Sequence, residues 1–411
     1  MKRFKRITDV LFLLVLIVLI GLFFIVQCSC QLEKTTTQNF SPTIIVAAEN
    51  TSAYFSLLQN KKIAVVANHT SMINNKGLVD SINNAGFFIE KIFSPEHGYK
   101  GNADAGKEIG DSLDSRNRIE IISLYGKNKK PSAEQLKNIE VVVFDLQDVG
   151  TRFYTYLSTM YYMMEACAIN GIEFIVLDRP NPNGFYVDGP VLEKDFESFV
   201  GLLPIPIVHG MTLGELSLMI NAEGWLPNKA KCNLTVIKCL NYNHSMIYMP
   251  TVPPSPNLKE LRSILLYPSL CLFEGTVISV GRGTDKPFMQ FGHPLLLSMK
   301  DTFTPISIMG SIDPPLKNEI CRGIDLTNLN MDTLIMHKQI NLSYLIEAYN
   351  AYPDKSTFFN SFFNKLAGQS NLMQQIKNCK SEKEIRSSWQ PFLTVFKEKR
   401  KKYLLYPDFI E

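Results

Sequence analysis

The sequence lacks the signatures of several common protein classes. No Cys-x-x-Cys or His-x-x-x-His spacing occurs, which argues against a cysteine-based metal site. No Gly-x-Gly-x-x-Gly follows the first apolar run, so a dinucleotide is not indicated. The net charge is only +3, and the densest basic run, Lys397–Lys402, is typical of a solvated helix face. We therefore predict no metal, no organic cofactor and no nucleic-acid partner.

The composition is that of a globular protein, with 45% apolar and 20% charged residues. At 411 residues the chain is too long for one ordinary hydrophobic core, so two domains are expected. We place them at residues 45–256 and 257–411, with the proline-rich stretch Pro253–Asn257 as a rigid junction or wall.

The first thirty residues have the pattern of an export signal, a signal anchor or a lipoprotein signal. Basic residues precede an uncharged apolar run, Val10–Val26, and Cys28 and Cys30 follow it directly. Residues 31–44 are predicted to be a flexible tether. We expect an exported protein tethered to a membrane, in the periplasm or at the cell surface, and its oligomeric state stays open.

Strand and helix patterns alternate through the first half. Continuous apolar runs at Ile63–Ala67, Phe87–Phe93 and Val141–Phe144 indicate strands buried on both faces, and Tyr154–Asn170 indicates a long helix. This alternation predicts an α/β fold: a Rossmann-like, doubly wound, mostly parallel sheet. The second half predicts a smaller C-terminal α+β domain. We expect its strands to include Leu270–Phe273 and Val277–Val280, and the active site to lie in the cleft between the domains.

Polar residues follow the predicted strands at the same end. In an open parallel sheet these ends share the edge where ligands bind, so we expect them to line one crevice. The residues concerned are Asn68, His69, Glu96, His97, Asp145, Gln147, Asp148, Asp178, Arg179 and His209.

Glu96 and His97 stand out within this set. They lie between Pro95, which ends a strand because it has no N–H for the ladder, and Gly98, which frees the backbone for a turn. Glu and His are the residue types most used in general acid–base catalysis. The alternative is a polar strand–loop junction without chemistry.

Seven ordered motifs carry a specific resemblance. They are Ser94–Gly98 (SPEHG), Phe144–Tyr156 (FDLQDVGTRFYTY), Leu177–Pro182 (LDRPNP), His209–Glu215 (HGMTLGE), Pro253–Asn257 (PPSPN), Glu274–Thr276 (EGT) and Ser279–Thr284 (SVGRGT). From about Ile63 to Tyr406 the chain resembles the NamZ-type exo-β-N-acetylmuramidases. This family implies a Rossmann-like domain, a C-terminal domain and release of N-acetylmuramic acid from the non-reducing end of peptidoglycan fragments.

The resemblance implies Glu96 as catalytic acid, with His97 orienting it or balancing its charge. Glycoside hydrolysis usually pairs such an acid with a second carboxylate, and burial can raise the pKa of a Glu enough for the acid role. Asp145, Asp148, Asp178 and Glu274 are all candidates for the partner, with Asp148 and Glu274 preferred. The acetamido group of the sugar can also serve, so the stereochemical course stays open.

The lactyl carboxylate of N-acetylmuramic acid calls for an arginine, because the guanidinium fork binds carboxylates bidentately. Arg282 and Arg152 rank first and Arg179 follows; for each, a structural salt bridge is the alternative. The remaining candidate substrate contacts are Asn68, His69, Tyr154, His209 and Asn257, and Phe153 and Tyr156 are further stacking candidates.

Two functions are therefore weighed. The first is an exo-acting glycosidase of cell-wall turnover, and the second is a non-catalytic, membrane-tethered protein that binds cell-wall sugars. Only the first requires an acid at Glu96.

Overall fold

A computed structural model describes residue 7 and residues 10–20 and 43–410. Residues 10–20 are helical (α1). Among the helices in these ranges, none combines the length and apolar character needed to cross a membrane. Part of the predicted apolar run, Cys28, Cys30 and most of the predicted tether lie outside the described residues.

A seven-stranded sheet organises the first half. Six of its strands are parallel, and the seventh, the edge strand β5, is antiparallel to β6. In spatial order they are β11 (Asn233–Ile237), β8 (Glu173–Leu177), β7 (Val141–Asp145), β1 (Ile63–Ala67), β4 (Ile89–Ser94), β6 (Glu120–Ser123) and β5 (Ser112–Leu113). Among the parallel strands the chain order runs outward from β1 in both directions, through β4 and β6 on one side and β7, β8 and β11 on the other, so the strand order reverses between β1 and β7. This is the doubly wound topology that the alternating pattern predicted.

Both faces of the sheet are covered. Alternate residues of β1 enter different cores: Ala64 and Val66 join the cluster on one face, and Ile63 and Val65 join the cluster on the other. This burial explains why β1 and β7 are apolar without alternation. Helices α2 (Leu78–Asn84), α3 (Tyr156–Asn170) and α4 (Leu213–Glu223) connect the strands.

Helix α4 begins with a capping box. The Thr212 hydroxyl accepts from the Glu215 N–H, and the Glu215 carboxylate accepts from the Thr212 N–H. Two short hairpins complete this half: β2 (Met72–Ile73) with β3 (Lys76–Gly77), and β9 (Asp188–Val191) with β10 (Pro206–Val208).

The second half is a smaller α+β assembly. It contains helix α5 (Leu261–Leu270) and a three-stranded antiparallel sheet of β12 (Gln290–His293), β14 (Cys321–Asp325) and β13 (Asp301–Phe303). The helices that follow are α6 (Met331–His337), α7 (Ser343–Ala351), α8 (Phe363–Ala367), α9 (Asn371–Lys377) and α10 (Glu382–Arg400).

Two predicted strands of this half are wrong. Leu270 ends helix α5, and Cys271–Gly275 forms a 3-10 turn. Val277–Val280 forms no strand, although Ser279 makes a single antiparallel bridge to Gly292. A short apolar run between turns has the same composition in a buried helix as in a strand, so its pattern could not separate them.

The end of the chain packs on the first half. Tyr406 donates a hydrogen bond from its hydroxyl to Asp178 (2.6 Å), and the Leu405 N–H donates to Glu215 (2.8 Å). Arg400 donates to the Gly210 carbonyl. One compact unit begins at Ile44 and includes both halves, and the boundary at residues 256/257 stays a prediction. The cysteines at 167, 232, 239, 271, 321 and 379 are free thiols.

Candidate active site

Glu96 lies directly after β4, in a turn closed by the Gly98 N–H donating to the Pro95 carbonyl (3.0 Å). Its carboxylate is held from two sides. Oε1 accepts from the Gly106 N–H (2.9 Å), and Oε2 accepts from the hydroxyl of Thr155 (2.7 Å), the residue that directly precedes α3. The 95–111 loop and the start of α3 therefore fix this carboxylate.

His97 has a left-handed backbone (φ 69°), which is uncommon for a residue other than glycine and costs roughly 1–3 kcal/mol. Its Nδ1 lies 2.7 Å from the Ala103 carbonyl, which can only accept, so Nδ1 carries the proton. Burial lowers the pKa of His97, although Glu96 opposes that shift. A neutral imidazole at pH 7 follows, so His97 anchors the loop rather than balancing the charge of Glu96.

A cavity of about 950 Å³ opens beside Glu96, and both halves of the chain line it. From the first half come Glu96, His97, Tyr125, Tyr154, Thr155 and Phe199. From the second half come Tyr267, Glu274, Arg282, Phe288 and Phe362. The volume suits a ligand of one to a few sugar units.

Glu274 and Arg282 form an ion pair on the C-terminal wall, with Arg282 Nε 2.7 Å from Glu274 Oε1. Burial disfavours the guanidinium charge, but the Glu274 carboxylate raises the pKa of Arg282. The guanidinium also lies 4.9 Å from the centre of the Phe288 ring. In the described part of the chain only its Nε–H has a protein hydrogen-bond partner, so its terminal amino groups remain available to a ligand.

Tyr125 lies close enough to both carboxylates for their charges to affect its pKa. Burial is the main reason its pKa is raised, and the charges of Glu96 and then Glu274 add to the shift. Its ring packs 5.7 Å from that of Phe199, another half-buried aromatic of the cavity wall. The sequence analysis predicted neither Tyr125 nor Phe199 as a site residue. Tyr125, however, follows the end of β6 at the same sheet edge as Glu96, so its position in the sequence could have identified it as a cavity residue.

The other candidate carboxylates lie outside this cavity. Asp145 forms a bidentate pair with Arg179, at 2.5 and 2.9 Å. Asp178 accepts from the Gly214 N–H at the start of α4, from Thr212 and from Tyr406, and burial raises its pKa to about 6. Both roles are structural: Asp145 binds a buried guanidinium, and Asp178 binds the backbone amide at the start of α4.

Asp148 is fully buried. Its Oδ1 accepts from the Gly150 N–H (2.6 Å), and burial raises its pKa to about 7. It does not line the cavity beside Glu96, so its predicted catalytic role does not fit the structure.

Two predicted substrate-binding arginines are structural. Arg152 donates to the carbonyl oxygens of Pro190, Ile205 and Leu366 at 2.7–2.9 Å, and burial lowers its pKa to about 9. Arg179 is committed to Asp145. Neither arginine lines the cavity, because each guanidinium is buried in the interior of the fold and bonded to protein groups there.

The predicted histidines have structural environments too. His69 Nε2 lies 2.8 Å from the Pro253 carbonyl, and Gly101 packs so closely on the ring that a Cβ there would lie 1.8 Å from Nδ1. His209 accepts from the Met211 N–H through Nδ1, and burial lowers its pKa to about 3. It follows β10, outside the main sheet, which is why it does not join the other strand ends.

Asn68 and Asn257 support the walls rather than line the cavity. Asn68 accepts from Thr70 and donates to the Tyr156 hydroxyl, and Asn257 donates to the Gly310 carbonyl. Tyr154 does line the cavity, and its hydroxyl donates to the Pro254 carbonyl (2.9 Å). Pro253–Asn257 is thus the rigid wall that its prolines predicted. No group of three or more His, Cys, Asp or Glu side chains within residues 10–20 and 43–410 is arranged to hold a metal ion.

An α/β fold with carboxylates on both walls of a sugar-sized cavity fits the class of glycoside-cleaving enzymes. The model for the N-terminal domain of the exo-β-N-acetylmuramidase NamZ matches residues 63–262, and the model for its C-terminal domain matches residues 265–406. The chain belongs to the NamZ family and is a glycoside hydrolase, as the motifs predicted.

Individual relatives agree. The peptidoglycan β-N-acetylmuramidase NamZ of Bacillus subtilis (strain 168) is 39% identical over 374 residues, covering 86% of this chain and 89% of its own length. Two crystal structures of DUF1343 family proteins from Bacteroides fragilis NCTC 9343 have the same fold. One is 47% identical with a TM-score of 0.83, covering 89% of this chain and 99% of its own. The other is 29% identical with a TM-score of 0.72, covering 88% and 99%. These relatives give no support to the non-catalytic alternative.

Proposed function

We propose that this enzyme releases N-acetylmuramic acid from the non-reducing end of peptidoglycan fragments during cell-wall turnover. The observation that carries the proposal is the pair Glu96 and Glu274, contributed by the two halves of the chain to one cavity. A terminal sugar between them would meet a proton donor and a second carboxylate, which is the arrangement that glycoside hydrolysis requires.

Glu96 is the proposed general acid. It transfers its proton to the glycosidic oxygen while the bond from the anomeric carbon to that oxygen breaks, and water supplies the hydroxyl of the released sugar. The Thr155 hydroxyl, 2.7 Å away, supports either protonation state because a hydroxyl can donate or accept. The Gly106 N–H holds the other oxygen, so the acid keeps one orientation through the cycle.

Glu274 is the proposed second carboxylate. It forms an ion pair with the adjacent Arg282, and a carboxylate on this wall would stabilise the positive charge of an oxocarbenium-like transition state. The terminal amino groups of Arg282 are proposed to bind the lactyl carboxylate, the group that distinguishes N-acetylmuramic acid from N-acetylglucosamine.

The substrate class agrees with the proposed location outside the cytoplasm. The basic and apolar N-terminal pattern supports export and attachment to a membrane. Fractionation of cells that express the full chain, compared with a chain starting at residue 31, tests this. Recovery of both proteins in the cytosol would contradict it.

The chemistry is tested with a chromogenic N-acetylmuraminide and the matching N-acetylglucosaminide. Glu96→Gln should lower kcat on the muraminide by about 10²–10⁴-fold, because it removes the proton donor and keeps the shape. Glu108→Gln, at another glutamate of the same cavity, is the matched control and should retain most activity. Equal kcat for Glu96→Gln and the wild type would refute the assignment. Cleavage of neither glycoside by the wild type would refute the proposed substrate.

A further inference from the structure

A second cavity, of about 690 Å³, lies next to the first. The same side chains and backbone border both, namely His97, Asp104, Lys107, Glu108, Gly310 and Ile312. A thin partition therefore separates the two cavities, and it is built from the 95–111 loop of the first half and the 308–313 turn of the second half.

The two sides of this partition meet at one hydrogen bond. The Ile312 N–H donates to Oδ2 of Asp104 at 3.1 Å. We call this contact, between Asp104 and Ile312, the clasp. The two residues are 208 positions apart in the chain, so the clasp joins the halves at the edge of the catalytic cleft.

The loop on the Asp104 side is fastened to the catalytic carboxylate. The Gly106 N–H donates to Glu96, and the Ala103 carbonyl accepts from His97. The Ala103 N–H donates to the His97 carbonyl (3.3 Å). Asp104 lies between these anchors, so the position of the clasp is fixed relative to Glu96.

The turn on the Ile312 side is also held firmly. Ile308 and Ser311 exchange two backbone hydrogen bonds, at 3.1 and 3.0 Å, and the Gly310 carbonyl accepts from Asn257. Gly310 has φ 86°, and a Cβ there would lie 2.6 Å from Pro256. The turn thus rests on the proline wall, and the clasp is the hydrogen bond that joins it to the loop.

We propose that the clasp is the specificity determinant that restricts this enzyme to chain ends. This inference rests on the proposed function. A glycan in the first cavity cannot continue through the partition, so the sugar beside Glu96 must be terminal. Without the clasp, the cavities would join into one groove long enough for an internal stretch of glycan. Exposed apolar side chains along the second cavity, Leu113 and Met309, would then provide contact surface for the sugars.

The test uses the tetrasaccharide GlcNAc-MurNAc-GlcNAc-MurNAc, whose non-reducing end is N-acetylglucosamine. The wild type should not cleave it, because it offers no terminal N-acetylmuramic acid. Asp104→Ala removes the acceptor and Ile312→Pro removes the donor, since proline has no N–H. Both variants should release disaccharide at a rate at least tenfold above the background measured with the wild type. Asp104→Asn keeps a side-chain oxygen to accept from Ile312 and should behave as the wild type.

The chromogenic N-acetylmuraminide runs alongside each protein. If the wild type does not cleave it, the proposed function fails before the clasp is judged. If the wild type cleaves it while Asp104→Ala and Ile312→Pro leave the tetrasaccharide intact, the clasp does not determine specificity. Loss of both activities in folded variants, judged by unchanged circular dichroism, would make the clasp a support for Glu96 instead and would equally overturn the inference.

Discussion

Two arginine–carboxylate pairs in this protein have the same chemistry and different uses. Arg179 and Asp145 are almost fully buried, at 6% and 0% side-chain exposure, and two N–H groups of the arginine bind both carboxylate oxygens. Arg282 and Glu274 are 16% and 26% exposed, and one N–H makes the contact. The two pairs therefore differ in how many N–H groups of the arginine remain available. Those available N–H groups, rather than the ion pair itself, distinguish the binding site at Arg282 from the structural contact at Arg179.

Arg179→Ala should give the largest effect, on stability. Removing one partner leaves the Asp145 charge buried without compensation, which costs about 3–5 kcal/mol in the free energy of unfolding. Urea unfolding followed by circular dichroism measures this. A decrease of less than 1 kcal/mol in the free energy of unfolding would mean that water reaches Asp145. The buried pair would then not differ in stability from the partly exposed pair of Arg282 and Glu274.

Arg282→Ala should act on catalysis instead. Loss of a charged hydrogen bond to the lactyl group removes about 1.5–3 kcal/mol of binding, so kcat/KM on the muraminide should fall about 10–150-fold. The free energy of unfolding should change by no more than about 1 kcal/mol, because the pair is partly exposed. Arg282→Lys keeps the charge without the fork and should recover only part of the loss. An equal fall on the N-acetylglucosaminide would contradict lactyl recognition.

Asp148, a buried carboxylate without an arginine partner among the described residues, should make the free energy of unfolding depend on pH. Its pKa in the fold is about 7, above the value of about 3.9 for an unfolded chain, so the native state binds the extra proton between these values. The stability it contributes is complete below about pH 4 and is lost as pH rises through 7. From pH 5 to 7 the wild type should lose about 2 kcal/mol relative to Asp148→Asn, which cannot titrate. Parallel stability curves for the two proteins would show that Asp148 is ionised throughout.

Phe199→Ala should give the smallest effect. The ring forms part of the cavity wall and is half-buried, which suits stacking on a sugar. We expect a loss of about 1 kcal/mol, seen as a roughly fivefold higher KM with little change in kcat. Phe199→Tyr keeps the ring and serves as the control. A fall in kcat alone would place Phe199 near the reacting bond instead.

The sheet could be predicted because its chemistry is local. Ile63–Ala67 is buried on both faces, as expected for a parallel strand covered by helices, and the alternating helix patterns around it favoured that assignment. Arg152 could not be assigned in this way. Its guanidinium meets carbonyl groups 38, 53 and 214 residues away, and nothing near it in the sequence indicates them.

The site was predictable in part for the same reason. Glu96 follows a strand at the sheet edge that topology makes a ligand site, and it lines the cavity. Glu274 also lines the cavity, although the strand expected before it is a helix end and a 3-10 turn. Its place depends on how the second half packs against the first, which no local pattern encodes.

The hydrogen bonds from Tyr406 to Asp178 and from Leu405 to Glu215 have a consequence for synthesis on the ribosome. Asp178 and Glu215 belong to the first half, yet they acquire these partners only about two hundred residues later in translation. An emerging first half would hold buried carboxylates that lack part of their hydrogen bonding, a costly state. Folding should therefore finish after residue 406 has emerged, and a nascent chain stopped before it should remain a target for proteases and chaperones.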